Sequence, residues 1–155
     1  MKLNIIAVGQ RPPVWVSEAF VDYAKRFSAE LNVRLTEIPL RKRTSTADIN
    51  RLMHQEGTDM LKHIASNSLA IALDVQGQSW STPVLVTQLN AWMQQGRDVN
   101  FVIGGPEGLA PACLDRADKR WSLSALTLPH MLVRVILIET LYRAWSVVKG
   151  FPYHR

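Results

Sequence analysis

A chain of 155 residues, 47% hydrophobic and 20% charged, excludes a low-hydrophobicity disordered polymer and is long enough to bury a sizeable core as one domain. Eighteen lysines and arginines against 13 acidic residues give a net charge of +5, which favours an anionic partner, nucleic acid being the commonest, without requiring one. The single cysteine, Cys113, excludes an internal disulfide and any zinc-type cysteine cluster, so a reducing, cytoplasmic setting is expected.

KLNIIAVG, Lys2 to Gly9, reads as a buried strand rather than a signal peptide, because its apolar run is too short and no small-residue cleavage site follows. Pro12 and Pro13 open a helix whose Val16, Phe20, Tyr23 and Phe27 share one face. VRLTEIP is a second strand. The basic loop RKRTSTAD follows, with Ser45 or Thr46 as N-cap of a helix reaching about Ile64. LAIALD, Leu69 to Asp74, is a third strand and VQGQSWST a loop. Thr82 and Pro83 read as N-cap and first residue of the next helix, and Gly96 as its stop. NFVIGG is the fourth strand, followed by a short helix around Pro111 to Ala117, a fifth strand near WSL and a closing helix from Pro129 to about Val148.

Strands alternating with helices predict an α/β fold, a mainly parallel sheet with helices on both faces, in a single domain spanning 1–155. In such sheets ligands sit beyond the carboxyl ends of the strands. The longest uncharged apolar-rich run contains Pro129 and ends at Arg134, too short for a membrane span. The closing helix is apolar almost all round, with Arg134, Glu139 and Arg143 as exceptions. Such a helix asks for a second buried face, supplied either by another copy of the chain or by its own domain.

Three loops carry chemical interest. IGGPEG, Ile103 to Gly108, is neither a P-loop nor a dinucleotide fingerprint. Its Gly104 and Gly105 would let main chain approach a ligand or a crossing loop, and Pro106 stiffens the turn; a turn built only of punctuation residues fits equally well. SALTLPH, Ser124 to His130, is an apolar loop whose Leu126 and Leu128 are expected to pack. A flat heterocycle with donor and acceptor edges would satisfy the backbone between them, as would packing on the third strand. The end, FPYHR, offers Tyr153, His154 and Arg155, a ring, an imidazole and a guanidinium, where chain ends are usually frayed and such groups solvated. His130 falls in the first turn of the last helix, where a structural role is expected. Arg41, Lys42 and Arg43 form the best basic patch, although such runs are most often solvated. No Gly-x-Ser-x-Gly, His-Glu-x-x-His or Cys/His cluster supports a hydrolase or a metal site.

IGGPEG, the run WSLSALTLPH, the helix segment RVILIETLYRAW and the terminal PYHR together closely resemble the ribosomal RNA large-subunit methyltransferase H family, over essentially the whole chain and in the family's order. The resemblance implies a SPOUT methyltransferase with a carboxy-terminal trefoil knot in roughly residues 69–155, S-adenosylmethionine as methyl donor, no metal, and a homodimer without membrane attachment. It also implies N3-methylation of a pseudouridine in helix 69 of 23S rRNA, within the assembled 70S ribosome. By motif match Leu73, Gly105 and Ser124, Ala125, Leu126, Thr127, Leu128 and Pro129 would bind the donor, the glycines admitting it. Tyr153, His154 and Arg155 would serve substrate RNA and catalysis, and the three basic residues 41–43 would read RNA shape and phosphate. A different SPOUT RNA methyltransferase, acting on tRNA or a ribose hydroxyl, would share the donor loop. A non-enzymatic ribosome-binding module would explain the charge alone.

Overall fold

The structure, a computed structural model, describes residues 1–154. Five strands, β1 (Lys2–Val8), β2 (Asn32–Ile38), β3 (Leu69–Ser79), β4 (Val99–Ile103) and β5 (Lys119–Ser122), form one sheet in the order β2-β1-β4-β3-β5. Every pairing is parallel. Five helices intervene: α1 (Val14–Ala24), α2 (Ile49–Leu61), α3 (Thr82–Gln95), α4 (Pro111–Arg116) and α5 (His130–Lys149). Among the described residues no helix is long and apolar enough to cross a membrane.

The pleat of β1 sorts the two layers. Leu3, Ile5 and Ala7 point into a core shared with Phe20 of α1, Leu85, Leu89 and Trp92 of α3, and Leu137, Leu141 and Trp145 of α5. Ile6 and Val8 point the other way, against Met60 of α2 and Cys113 of α4. A strand covered on both faces has no polar side to show, which is why β1 and β4 read as continuous apolar runs. Asn100 is the buried exception in β4. Its amide donates to Ser68 Oγ at 2.7 Å and to the Leu69 carbonyl at 3.0 Å, and its Oδ1 accepts from Asn4 at 2.9 Å, tying three neighbouring strands at one end.

Several boundaries differ from the sequence expectation. The cap of α2 is Asp48, whose carboxylate accepts the Arg51 N–H at 3.2 Å, in place of Ser45 or Thr46, and the helix stops at Leu61. Ser81 caps α3, one residue earlier than Thr82. Phe27 lies beyond α1 yet still packs on the core. The largest difference is β3, which continues through the stretch expected as the loop VQGQSWST. Its extension pairs with β5 across an irregularity, since Trp121 aligns with both Leu73 and Gln78. A Cβ on Gly77 would lie 2.6 Å from the Arg120 carbonyl carbon, so only glycine lets the strands close there.

The closing helix is buried on one side through Leu137, Ile138, Leu141, Ala144 and Trp145. On its other side Leu132, Val135 and Ile136 are half-buried. Arg134, an expected exception, is fully buried: its guanidinium donates to Glu37 at 2.5 Å and to the Val8 and Gly9 carbonyls at 3.2 and 2.6 Å. It fastens α5 to the ends of β1 and β2.

Candidate functional site

Beyond the carboxyl ends of β4 and β5, and alongside the middle of β3, the chain leaves an open crevice. Leu73 to Val75 of β3 form one wall, Ile103, Gly104, Gly105 and Gly108 another, and Trp121 with Ser122 the floor. The loop after β5 closes it through Leu123, Ser124, Leu126, Thr127 and Leu128, and the first turn of α5 adds His130 and Val133. Of the residues expected to hold a donor, Leu73, Gly105, Ser124, Leu126, Thr127 and Leu128 line this crevice, whereas Ala125 and Pro129 flank it.

The glycine turn is built for the chain itself. Gly108 N–H donates to the Gly105 carbonyl at 3.0 Å, closing a β-turn with Pro106 at its second position, and Gly108 takes φ +89°. A Cβ on Gly104 would stand 2.4 Å from the Gly108 carbonyl group, and one on Gly105 would stand 3.2 Å from Val8 Cγ1. The missing side chains therefore admit a crossing loop and a core valine, while the main chain of the turn faces the crevice. Across from it, Ser124 Oγ accepts the Leu126 N–H at 2.9 Å and the Ser124 carbonyl accepts Ser122 O–H at 3.0 Å. These bonds hold the apolar loop open. Leu126, expected to pack, is 72% exposed at the lip, and Leu128 is half-buried.

Two residues of the crevice lining carry a buried nitrogen without a protein partner, Trp121 Nε1 and His130 Nε2, the latter beside Gly9, where it would stand 3.3 Å from an added Cβ. Burial, reinforced by the charges of Arg134 and Arg43, holds the His130 pKa below the ordinary histidine value, so the ring is neutral at physiological pH. The expected structural place of His130 in the first turn of α5 is also a place in the crevice lining, which only the fold reveals. Asp74 supplies a carboxylate on the β3 wall.

Of the expected tail residues, Tyr153 does not line this crevice within the chain. Pro152 to His154 form one 3-10 turn, in which Tyr153 packs against Tyr23 of α1 and Tyr142 of α5, with ring centroids 6.3 and 4.8 Å away. All three tyrosines of the chain meet here. Tyr153 donates to Glu139 at 3.1 Å and lies 2.8 Å from the Tyr23 hydroxyl, which donates in turn because Tyr153 has only one hydrogen. Burial and these two bonds push the Tyr153 pKa well up. These contacts tie the tail turn to α1 and α5. The side chain of His154 and all of Arg155 lie outside the described residues.

The basic loop also differs from expectation. Lys42 is exposed, but Arg41 pairs with Asp59 and Arg43 is only 18% exposed, held between Glu56 and Glu107. Cys113 is buried beside the Gly57 carbonyl, and desolvation pushes its thiol up to about 11. Among the described residues no group of three or more His, Cys, Asp or Glu gathers to hold a metal ion.

A five-stranded parallel sheet with helices on both faces, opening at its carboxyl edge into a crevice walled by a glycine turn and an apolar loop, defines an α/β protein with a candidate ligand site at the sheet edge. Residues 1–154 match the family model described as "Predicted SPOUT methyltransferase". The ribosomal RNA large subunit methyltransferase H of Saccharophagus degradans is 53% identical to the chain over 155 residues, covering 100% of both. A crystal structure of a Neisseria gonorrhoeae protein assigned to a methylase family is similar in fold, with TM-score 0.52 at 14% identity over 90% of this chain and 81% of that one. The chain belongs to the SPOUT methyltransferases and, within them, to the ribosomal RNA large subunit methyltransferase H family.

Proposed function

We propose that the chain is an S-adenosylmethionine-dependent 23S rRNA methyltransferase, a cytoplasmic homodimer that methylates N3 of a pseudouridine in helix 69 of the assembled 70S ribosome. The observation that carries this reading is the crevice: Leu73, Gly105, Ser124, Leu126, Thr127 and Leu128 lie far apart in the chain and converge on one cavity. The residues suit the donor. An apolar loop meets the face of an adenine, and the turn's main chain meets its edge. Asp74 sets a carboxylate on the wall toward a cationic sulfonium. When bound, the donor supplies an electrophilic methyl group.

What the protein must add is alignment and a place for a proton. Pseudouridine N3 is a poor nucleophile until deprotonated, and His154 takes or relays that proton while Arg155 stabilises the anion or grips phosphate. Tyr153 contributes by pinning the tail turn to α1 and α5. Tyr153 packs on α1 and α5 and does not line its own chain's crevice, which supports a composite site, one subunit's tail facing the other's donor loop. The half-buried Leu132, Val135 and Ile136 of α5 are the apolar surface offered to the second copy. Residues 1–155 act as one domain, with the family's trefoil knot in roughly 69–155.

The test is transfer of labelled methyl from S-adenosylmethionine to ribosomes lacking the modification, run beside free subunits, naked 23S rRNA and tRNA. Labelling confined to assembled 70S ribosomes is expected, at N3 of a helix 69 pseudouridine. Labelling of tRNA, or of none of these by protein that binds the donor, would overturn the substrate assignment.

A further inference from the structure

The loop following β2 is tied to the crevice by one guanidinium. Arg43 Nε donates to Glu107 at 3.2 Å, one terminal nitrogen to Glu56 and the Arg41 carbonyl at 2.5 and 2.6 Å, and the other to Glu56 and Glu107 at 2.8 and 2.9 Å. All five N–H groups are spent, with two carboxylates held in the bidentate geometry that only arginine offers. Glu56 belongs to α2 and is buried; its Oε2 also accepts the Arg41 N–H at 2.8 Å. Glu107 is the third residue of the glycine turn, yet it does not line the crevice, whereas Gly104, Gly105 and Gly108 around it do. Its carboxylate is held below the usual range chiefly by the Arg43 hydrogen bonds.

Resting on the donor-site reading above, we infer that Arg43 is a positioning residue for the methyl-donor site: through Glu107 it fixes the Gly105–Gly108 turn against α2, rather than meeting RNA phosphate. A turn closed by one backbone bond and flanked by glycines has several accessible shapes, and the clasp selects the one whose main chain faces the crevice. Of the three basic residues, Lys42 alone then stands free of carboxylates among the described residues, since Arg41 engages Asp59.

The experiment compares donor affinity by calorimetry at 25 °C for the wild-type dimer, Glu107→Gln and Arg43→Lys, with thermal unfolding of each in parallel. Glu107→Gln removes the negative charge and one of the two acceptors that Arg43 grips, breaking the bidentate clasp on the turn, and leaves the Arg43–Glu56 pair, so the protein stays folded. S-adenosylmethionine binding is expected to weaken about tenfold in both variants. Arg43→Lys keeps the charge but loses the fork, so the salt dependence of ribosome affinity is expected to match wild type. A lowered unfolding midpoint with unchanged donor affinity in Glu107→Gln would overturn the inference and leave a stability role. A changed ribosome salt slope with unchanged donor affinity in Arg43→Lys would overturn it in favour of a phosphate contact. Failure of wild type to bind the donor would overturn the donor-site reading, and this inference with it.

Discussion

At the residue scale, the two glycines that open the IGGPEG turn have separate tasks, and substitution separates them. Alanine at Gly104 would drive its Cβ into the Gly108 main chain, which has no side chain to move aside, whereas alanine at Gly105 would press on Val8 and Leu40, whose methyl groups can shift. Gly104→Ala is expected to cost about 1–3 kcal/mol and to abolish measurable donor binding, and Gly105→Ala to do far less of both. Calorimetry and denaturant unfolding of the two variants decide this; equal effects would show that the turn is not packed as described. His130 makes a second case. Its ring, facing Arg43, Arg134 and Glu107, has a pKa below the reference 6.5. The unfolded chain then takes up a proton that the native chain refuses as pH falls through 6.5, so acidification favours unfolding, and the loss grows until the lower native pKa is passed. The unfolding midpoint of wild type between pH 7.5 and 5 is expected to fall more steeply than that of His130→Asn. Parallel slopes would remove His130 as the cause. Cys113, with its thiol near 11 and buried, is expected to ignore thiol reagents at pH 8 until the protein is denatured.

At the scale of elements, α5 is held by a buried charge as much as by its apolar face. Arg134 has no water to return to, so Arg134→Ala would strand Glu37 and leave the Val8 and Gly9 carbonyls without a donor. A loss of about 3–5 kcal/mol in chemical unfolding is expected. A loss under 1 kcal/mol would mean that solvent reaches the pair. The elements themselves were largely legible. Continuous apolar runs marked β1, β3 and β4, proline and glycine marked the ends of α3, and all five strands and five helices stand where the sequence put them to within a few residues. The extension of β3 was not legible, because VQGQS is polar and becomes a strand only by pairing with β5, some forty residues on. The cap of α2 was missed because Ser45, Thr46 and Asp48 are all acceptable caps, and the choice depends on where the loop is pinned by Arg43.

At the scale of the molecule, Tyr153 packs away from its own chain's crevice, and the proposed dimer would bring one chain's tail to the other's crevice. Mixed dimers of a chain lacking Tyr153–Arg155 and a Gly104→Ala chain are expected to regain roughly a quarter to a half of wild-type methyl transfer, because one of their two sites holds an intact tail and an intact loop. Complete inactivity in dimers verified as mixed would refute the shared site. Trimming Leu132 and Ile136 to serine is expected to shift sedimentation toward the monomer, and an unchanged dimer would place its interface elsewhere.

The sequence by itself determined the layers and marked the loops that line the crevice. A strand buried on both faces must be apolar throughout, a helix packed on a sheet must carry a stripe, and glycines and prolines must stand where the backbone turns sharply. Those demands are local, so they are written in consecutive residues. Only the tertiary structure decided the strand order β2-β1-β4-β3-β5, the withdrawal of Arg43 from the basic surface, and the burial of Arg134. Each depends on a partner far along the chain: Arg43 meets Glu107 across 64 positions and Arg134 meets Glu37 across 97. A charged side chain looks the same in sequence whether water or a carboxylate surrounds it, and the fold alone chooses between them.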